Sequence, residues 1–252
     1  MGRMPYPAAP FIAWFPAVIL VASVSAFAGT FVELEAGSVF SGYNDVRIPG
    51  KGGTLLSLSR ELSSDAAPYG RVRLGRSFGG SHEISFLAAP LRLEASGITA
   101  KEVVYMGESF PSGTALTSRY RFDSYRLTYR WDGLRRRRLK AGIGFTAKIR
   151  DASISLSGGG RNAEKRNTGF VPIVNFRLEW TASERILALL EGDALAAPQG
   201  RAEDVFAGAA WRMGKRTSVK AGYRILEGGA DNEEVYTFSL FHYAALGVIV
   251  QI

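Results

Sequence analysis

The chain has 252 residues, 46% hydrophobic and 21% charged, with a formal net charge of +8; this balance excludes a disordered chain and leaves room for one all-β barrel or two small domains. No cysteine is present, which excludes disulfides, thiolate catalysis, cysteine zinc sites and a lipid-modified N-terminal cysteine. His82 and His242 are the only histidines, so a histidine-rich metal site is excluded too, while the basic charge alone permits nucleic acid, anionic lipid or lipopolysaccharide as partner.

Residues 1–28 carry one charge, Arg3, followed by an apolar core from Phe11 to Val24 and a small-x-small site at Ala26-Phe27-Ala28. The core contains Pro16 and falls short of the ~18–20 residues that a spanning helix needs. The expectation is a signal peptide cleaved after Ala28, leaving 29–252 as a single domain. Export takes the chain away from nucleic acid, so the run Arg135 to Arg138 is not read as a nucleic-acid patch.

The exported part alternates with a period of two, which puts an apolar face opposite a polar one. In 31–40, Val32, Leu34, Ala36 and Phe40 oppose Glu33 and Glu35. Residues 54–62, within the first long connection, read as extra structure over a barrel mouth. In 69–78, Val72, Leu74 and Phe78 oppose Arg71 and Arg73. Segment 82–94 begins with Ile84, Phe86 and Ala88 outward and reads as switching parity near Pro90; 101–106 reads as a hairpin extension. Tyr125, Leu127, Tyr129 and Trp131 oppose Arg126 and Arg130. The strongest stretch is 138–151, where Leu139, Ala141, Ile143, Phe145, Ala147 and Ile149 oppose Arg138, Lys140, Lys148 and Arg150. In 170–180, Pro172, Val174, Phe176, Leu178 and Trp180 oppose Arg177 and Glu179; in 185–193, Glu191 and Asp193 share one parity. Strands at 204–213, with Arg212, and at 217–226, with Lys220 and Arg224, precede a last strand over about 235–251.

That gives ten strands, with eight and twelve as the neighbouring even counts. Short connections (Gly79-Gly80-Ser81, Asp132 to Arg135, Thr181 to Glu184, Gly214-Lys215) alternate with long ones, about 43–67, 95–113, 152–168, 194–203 and 227–234. Short turns at one end and long loops at the other suit an up-and-down antiparallel transmembrane barrel. A soluble sandwich would place the apolar parity in its core instead. The barrel is favoured by strand length, by the loop asymmetry and by Trp131, Trp180 and Trp211 at the short-turn ends, where aromatic girdles belong. The layout resembles the small single-chain outer-membrane β-barrel proteins of Gram-negative bacteria over all of 29–252. Members of that group usually end in an aromatic residue, whereas this sequence ends Val250-Gln251-Ile252.

On this reading the lumen is lined by Glu33, Glu35, Arg71, Arg73, Arg126, Arg130, Lys140, Lys148, Arg150, Arg177, Glu179, Glu191, Asp193, Arg212, Lys220 and Arg224, with bases in excess. Those charges either pair across the lumen, Glu33 and Glu35 with Arg71 and Arg73 for example, or line a path. The expected function is a structural or surface-interaction role for a barrel with a salt-bridged lumen. The alternatives are a narrow, porin-like, anion-preferring channel and an outer-membrane lipid- or peptide-cleaving enzyme. For the enzyme, His82 reads as a turn residue, and His242 shares the lipid-facing parity without a paired acid or serine. The loops Asp231-Asn232-Glu233-Glu234 and Glu203-Asp204 match no calcium-loop spacing. Arg161, Lys165 and Arg166 could meet lipopolysaccharide phosphates. No cofactor or metal is expected; the expected partners are outer-membrane lipid and lipopolysaccharide, with the barrel a monomer.

Overall fold

The computed structural model describes residues 29–198 and 200–252; the expected signal peptide lies outside them. Fifteen strands follow one another, with no helix among the described residues: β1 Thr30–Arg47, β2 Leu56–Ser57, β3 Ser63–Ser64, β4 Ala67–Phe78, β5 His82–Ala89, β6 Arg92–Ile98, β7 Val103–Tyr105, β8 Glu108–Phe110, β9 Ala115–Arg135, β10 Leu139–Gly158, β11 Arg161–Thr181, β12 Ile186–Ala197, β13 Gly200–Arg212, β14 Thr217–Asp231 and β15 Tyr236–Gln251. Every long strand pairs antiparallel with its neighbours, and β15 returns to pair with β1 from Phe31↔Gln251 to Arg47↔Tyr236. β5 and β6 pair with consecutive parts of β9 and together make one wall strand, so the wall is a closed barrel of ten strands. Closure gives each wall strand a partner on both sides, which hydrocarbon requires because it offers no water to an open edge.

The long hairpins exceed what a membrane needs. β9, β10 and β11 have 21, 20 and 21 residues. At about 3.4 Å per residue and a tilt of roughly 40°, such strands rise about 50 Å, against an apolar band of about 25 Å. Residues 152–168 are therefore strand and not loop: β10 and β11 stay in register from Leu139↔Trp180 up to Gly158↔Arg161. Their turn is Gly159-Gly160, with φ of 56° and 76°, and two consecutive positive φ values make the tight hairpin that glycine permits. Likewise 194–203 is absorbed by β12 and β13. At the opposite end β9 runs on to Arg135, so that turn lies at 136–138 and Arg138 is an exposed turn residue, not a member of the inward row.

The segment near Pro90 keeps its parity. Ile84, Phe86, Arg92 and Glu94 all point outward, and Leu87, Leu91 and Leu93 inward. What changes is the solvent, not the register. The same exchange occurs on β9, where outward Tyr125, Leu127 and Tyr129 give way to Arg121 and Arg119, and inward Arg126 and Arg130 to Tyr120 and Leu116. On β10 it falls between Ile149 and Asp151. Where the wall is apolar outside, its interior carries the charged rows, with a few apolar residues such as Leu87 and Leu189 among them; where it is polar outside, its interior is an apolar core. The two arrangements stack end to end.

Residues 48–66 and 99–114 fold into the outer half. Leu56, Leu58 and Leu62 from the first, and Val103, Tyr105 and Phe110 from the second, pack with Leu91, Leu93, Leu116 and Leu156 of the wall. β2 pairs with β1 at Val46↔Leu56, and the Tyr105 hydroxyl donates to the Ile154 carbonyl at 2.8 Å. The segment 54–62 is thus a plug fixed by its leucines, each burial favouring the folded state by roughly 1.5–3 kcal/mol.

Candidate functional site

The lower interior is a network of paired charges. Seven cations, Arg71, Arg73, Arg126, Arg130, Arg177, Lys220 and Arg224, meet seven carboxylates, Glu33, Glu35, Glu83, Glu179, Glu191, Asp193 and Asp204. Asp204 is a hub: its oxygens lie 3.1 Å from Arg71, 2.6 Å from Arg126 and 2.6 Å from Arg224. Arg224, 2% exposed, also reaches Glu35 at 2.8 Å, and Lys220 reaches Glu35 at 2.7 Å and pairs with Glu33. Arg73 bridges Glu33 at 3.2 Å and Glu191 at 3.4 Å; Arg177 links Glu191 and Glu179, at 3.4 Å each. Arg126 holds Asp193 at 2.7 Å, which also accepts from Thr146 at 2.7 Å and Asn175 at 2.9 Å. Arg130 joins Glu83 at 2.8 Å.

Aromatic residues also sit among these charges: the Tyr69 hydroxyl donates to Glu35 at 3.3 Å, and Phe206 lies between two cations. The Phe206 ring lies 4.4 Å from the Lys220 ammonium and 5.3 Å from the Arg224 guanidinium, offering its negative face to both. It rests against Gly208 and Gly222, paired across β13 and β14; a Cβ at either would come within 2.6 or 2.7 Å of the ring.

Two carboxylates in this network escaped the reading by residue type. Glu83 directly follows a turn, but it has the inward parity, opposite Ile84 and Phe86, and is buried. Asp204 stands beside Glu203 in an acidic pair, but it shares the inward parity of Gly208 and Arg212 on β13. Alternation alone would have assigned both. With them included, the paired network has no basic excess. Of the remaining bases, Lys140 and Arg212 sit at the lower mouth near Glu179, at 3.4 and 4.0 Å. Lys148 and Arg150 lie above the network and pair with none of the carboxylates.

Open space follows this division. A vestibule of about 180 Å³ at the lower end is lined by Lys140, Arg130 and Glu179 among others. In the network itself a void of only about 20 Å³ remains, near Arg71, Arg126 and Asp204. Above it, among β9 to β15, a cavity of about 530 Å³ is lined by Phe122, Lys148, Arg150, Ile154, Leu226 and Phe241 among others.

Both histidines are on the outer surface. His82 Nδ1 lies 2.8 Å from the Tyr129 hydroxyl and its ring stacks on Phe78; His242 stacks on Tyr223 and hydrogen-bonds its hydroxyl. A tyrosine partner supplies the polar contact that lipid would deny an outward imidazole. Trp131, Trp180 and Trp211 point outward at the lower end, each about half exposed.

No protein-family model and no curated protein matches the sequence. Solved structures match the fold. The outer-membrane protease OmpT from Escherichia coli superposes with a TM-score of 0.54 at 9% identity, over 90% of this chain and 98% of OmpT. The transport unit of the autotransporter AIDA-I from Escherichia coli reaches 0.48 at 8% identity, over 94% of each chain. Neisserial surface protein A reaches 0.36 at 12% identity, over 89% of this chain and 98% of the other. The chain has the fold of an outer-membrane β-barrel, with buried salt bridges inside it.

Proposed function

We propose that this protein is a sealed barrel of the Gram-negative outer membrane with a structural or surface-interaction role, exported by the signal peptide at 1–28 and working as a monomer. The observation that carries this reading is the charge-balanced network, which spans the lumen and leaves a void of about 20 Å³, room for about one water molecule. Buried charges are tolerated when each is paired, and the seven-to-seven match gives every one of these cations and carboxylates an opposite charge within the network. An outward collar just above the apolar band, where Arg92 pairs with Asp123, Arg119 with Glu94 and Arg121 with Asp151, suits contact with lipopolysaccharide headgroups. Planar-bilayer recording of the purified barrel tests the reading. The expected trace is flat at physiological salt; reproducible anion-selective steps would overturn it.

A further inference from the structure

The outer cavity contains a cation that no carboxylate among the described residues pairs with. Lys148 is 3% exposed, yet among the described residues no carboxylate lies within 4.0 Å of its ammonium. The nearby acids Asp193 and Asp204 are engaged by Arg126, Arg71 and Arg224. The Lys148 ammonium instead sits 5.0 Å from the Phe122 ring centroid, at the floor of the 530 Å³ cavity. One step along the same inward row, Arg150 donates to Asn167 and leaves its buried Nε without a partner. The rest of the lining combines apolar side chains, Phe122, Ile154, Leu226 and Phe241, with two ion pairs that already balance each other, Lys165 with Glu234 and Arg201 with Glu227.

A buried, unpaired ammonium is costly. Its retention beside a cavity of ligand size, which falls within the ~300–1,000 Å³ usual for such sites, points to an anion that completes it. We propose that the cavity binds a small single-chain amphiphile, its carboxylate on Lys148 and Arg150 and its apolar body against Phe122, Ile154, Leu226 and Phe241. A single negative charge fits: Arg150 retains solvent and Asn167, so only Lys148 needs a counter-charge. A phosphomonoester, with a charge of about −1.5 to −2, would exceed that need. The site is separate from the network that seals the barrel, so its success or failure leaves the sealed-barrel reading standing.

Octanoate titrated into the folded barrel in zwitterionic lipid nanodiscs, followed by calorimetry, tests the proposal, with octylammonium and octanol as controls. Saturable binding of one octanoate per barrel is expected, with neither control competing. Lys148→Met, which keeps the shape and removes the charge, should weaken octanoate at least about tenfold. Ala152→Trp, which fills the cavity from the wall while leaving Lys148 and the network in place, should abolish binding in a barrel that still shifts on heating in gel electrophoresis. Equal uptake of octanoate by the wild type and either folded variant, or no saturable binding at millimolar octanoate, would overturn the proposal. Should Lys148→Met not fold, the cavity-filling variant decides by itself.

Discussion

The worth of a single residue in this barrel depends on whether its charge has company. Asp204, 3% exposed, accepts from three guanidiniums in a region with room for about one water molecule. Asp204→Asn keeps the size of the side chain and removes its charge, stranding Arg71 and leaving Arg126 and Arg224 with one carboxylate each, Asp193 and Glu35. Breaking a buried pair from one side costs about 3–5 kcal/mol, because the uncompensated charge stays buried. We expect a loss in that range for Asp204→Asn, read as a lower urea midpoint for unfolding from lipid bilayers. Glu94→Gln, which removes the exposed partner of Arg119, should change stability by less than about 1 kcal/mol, since solvent screens surface pairs. Equal effects from the two would mean that the lumen is wet and the network is not sealed.

At the level of strands, the exchange of apolar and polar rows fixes how deep each residue lies. Phe145 points outward in the band of β10, and Thr117 points outward near the top of β9, beyond Arg119. Phe145→Arg should cost about 2–4 kcal/mol of folding free energy in a bilayer, the range for a cation near the midplane of a barrel wall. Thr117→Arg should stay within about 0.5 kcal/mol, as a surface substitution in water does. Urea titrations in lipid vesicles give both numbers, and a comparable penalty at Thr117 would place the membrane edge higher than the exchange of rows indicates. The same logic explains which parts of the fold were legible in sequence. Alternation on Val32 to Phe40 or Leu139 to Ile149 identified ten wall strands, because lipid and lumen impose opposite demands on adjacent residues. It faltered above the band. There the apolar parity moves inside, so Leu91 and Leu93 read as a slipped register and Ile154 and Leu156 as loop. The connection 152–168 in fact closes in a two-residue hairpin turn, which the positive φ angles of Gly159 and Gly160 allow. For the lumen, parity identified the charged rows, but partners came from the sheet's closure. Glu35 meets Arg224 across 189 positions in sequence, a pairing that no local pattern encodes, while the adjacent-strand pairing of Glu33 with Arg73 was within reach of one.

The whole molecule joins two halves held by different forces, and this decides where the barrel is closed. The outer half is an apolar core in which Leu56, Leu58 and Leu62 secure the plug; the inner half is a polar network with almost no free volume. The cavity of about 530 Å³ already hollows the outer half, so on the sealed-network reading the barrier to ions lies below the plug. Replacing residues 52–64 by a short Gly-Ser linker should therefore loosen the outer half, raising its protease sensitivity, and leave the bilayer trace flat. Opening the barrel requires removing side chains from the network without leaving charges behind. Arg73, Glu191, Arg126 and Asp193 all changed to alanine would delete two cations and two carboxylates at once. The cost is smaller than that of breaking the pairs from one side, because no charge is stranded. Such a variant should still fold and should show conductance steps that the loop-shortened protein lacks. Steps from the loop-shortened protein alone would move the seal to the plug, and a silent quadruple variant that folds would mean that the remaining charges close the lumen without these four.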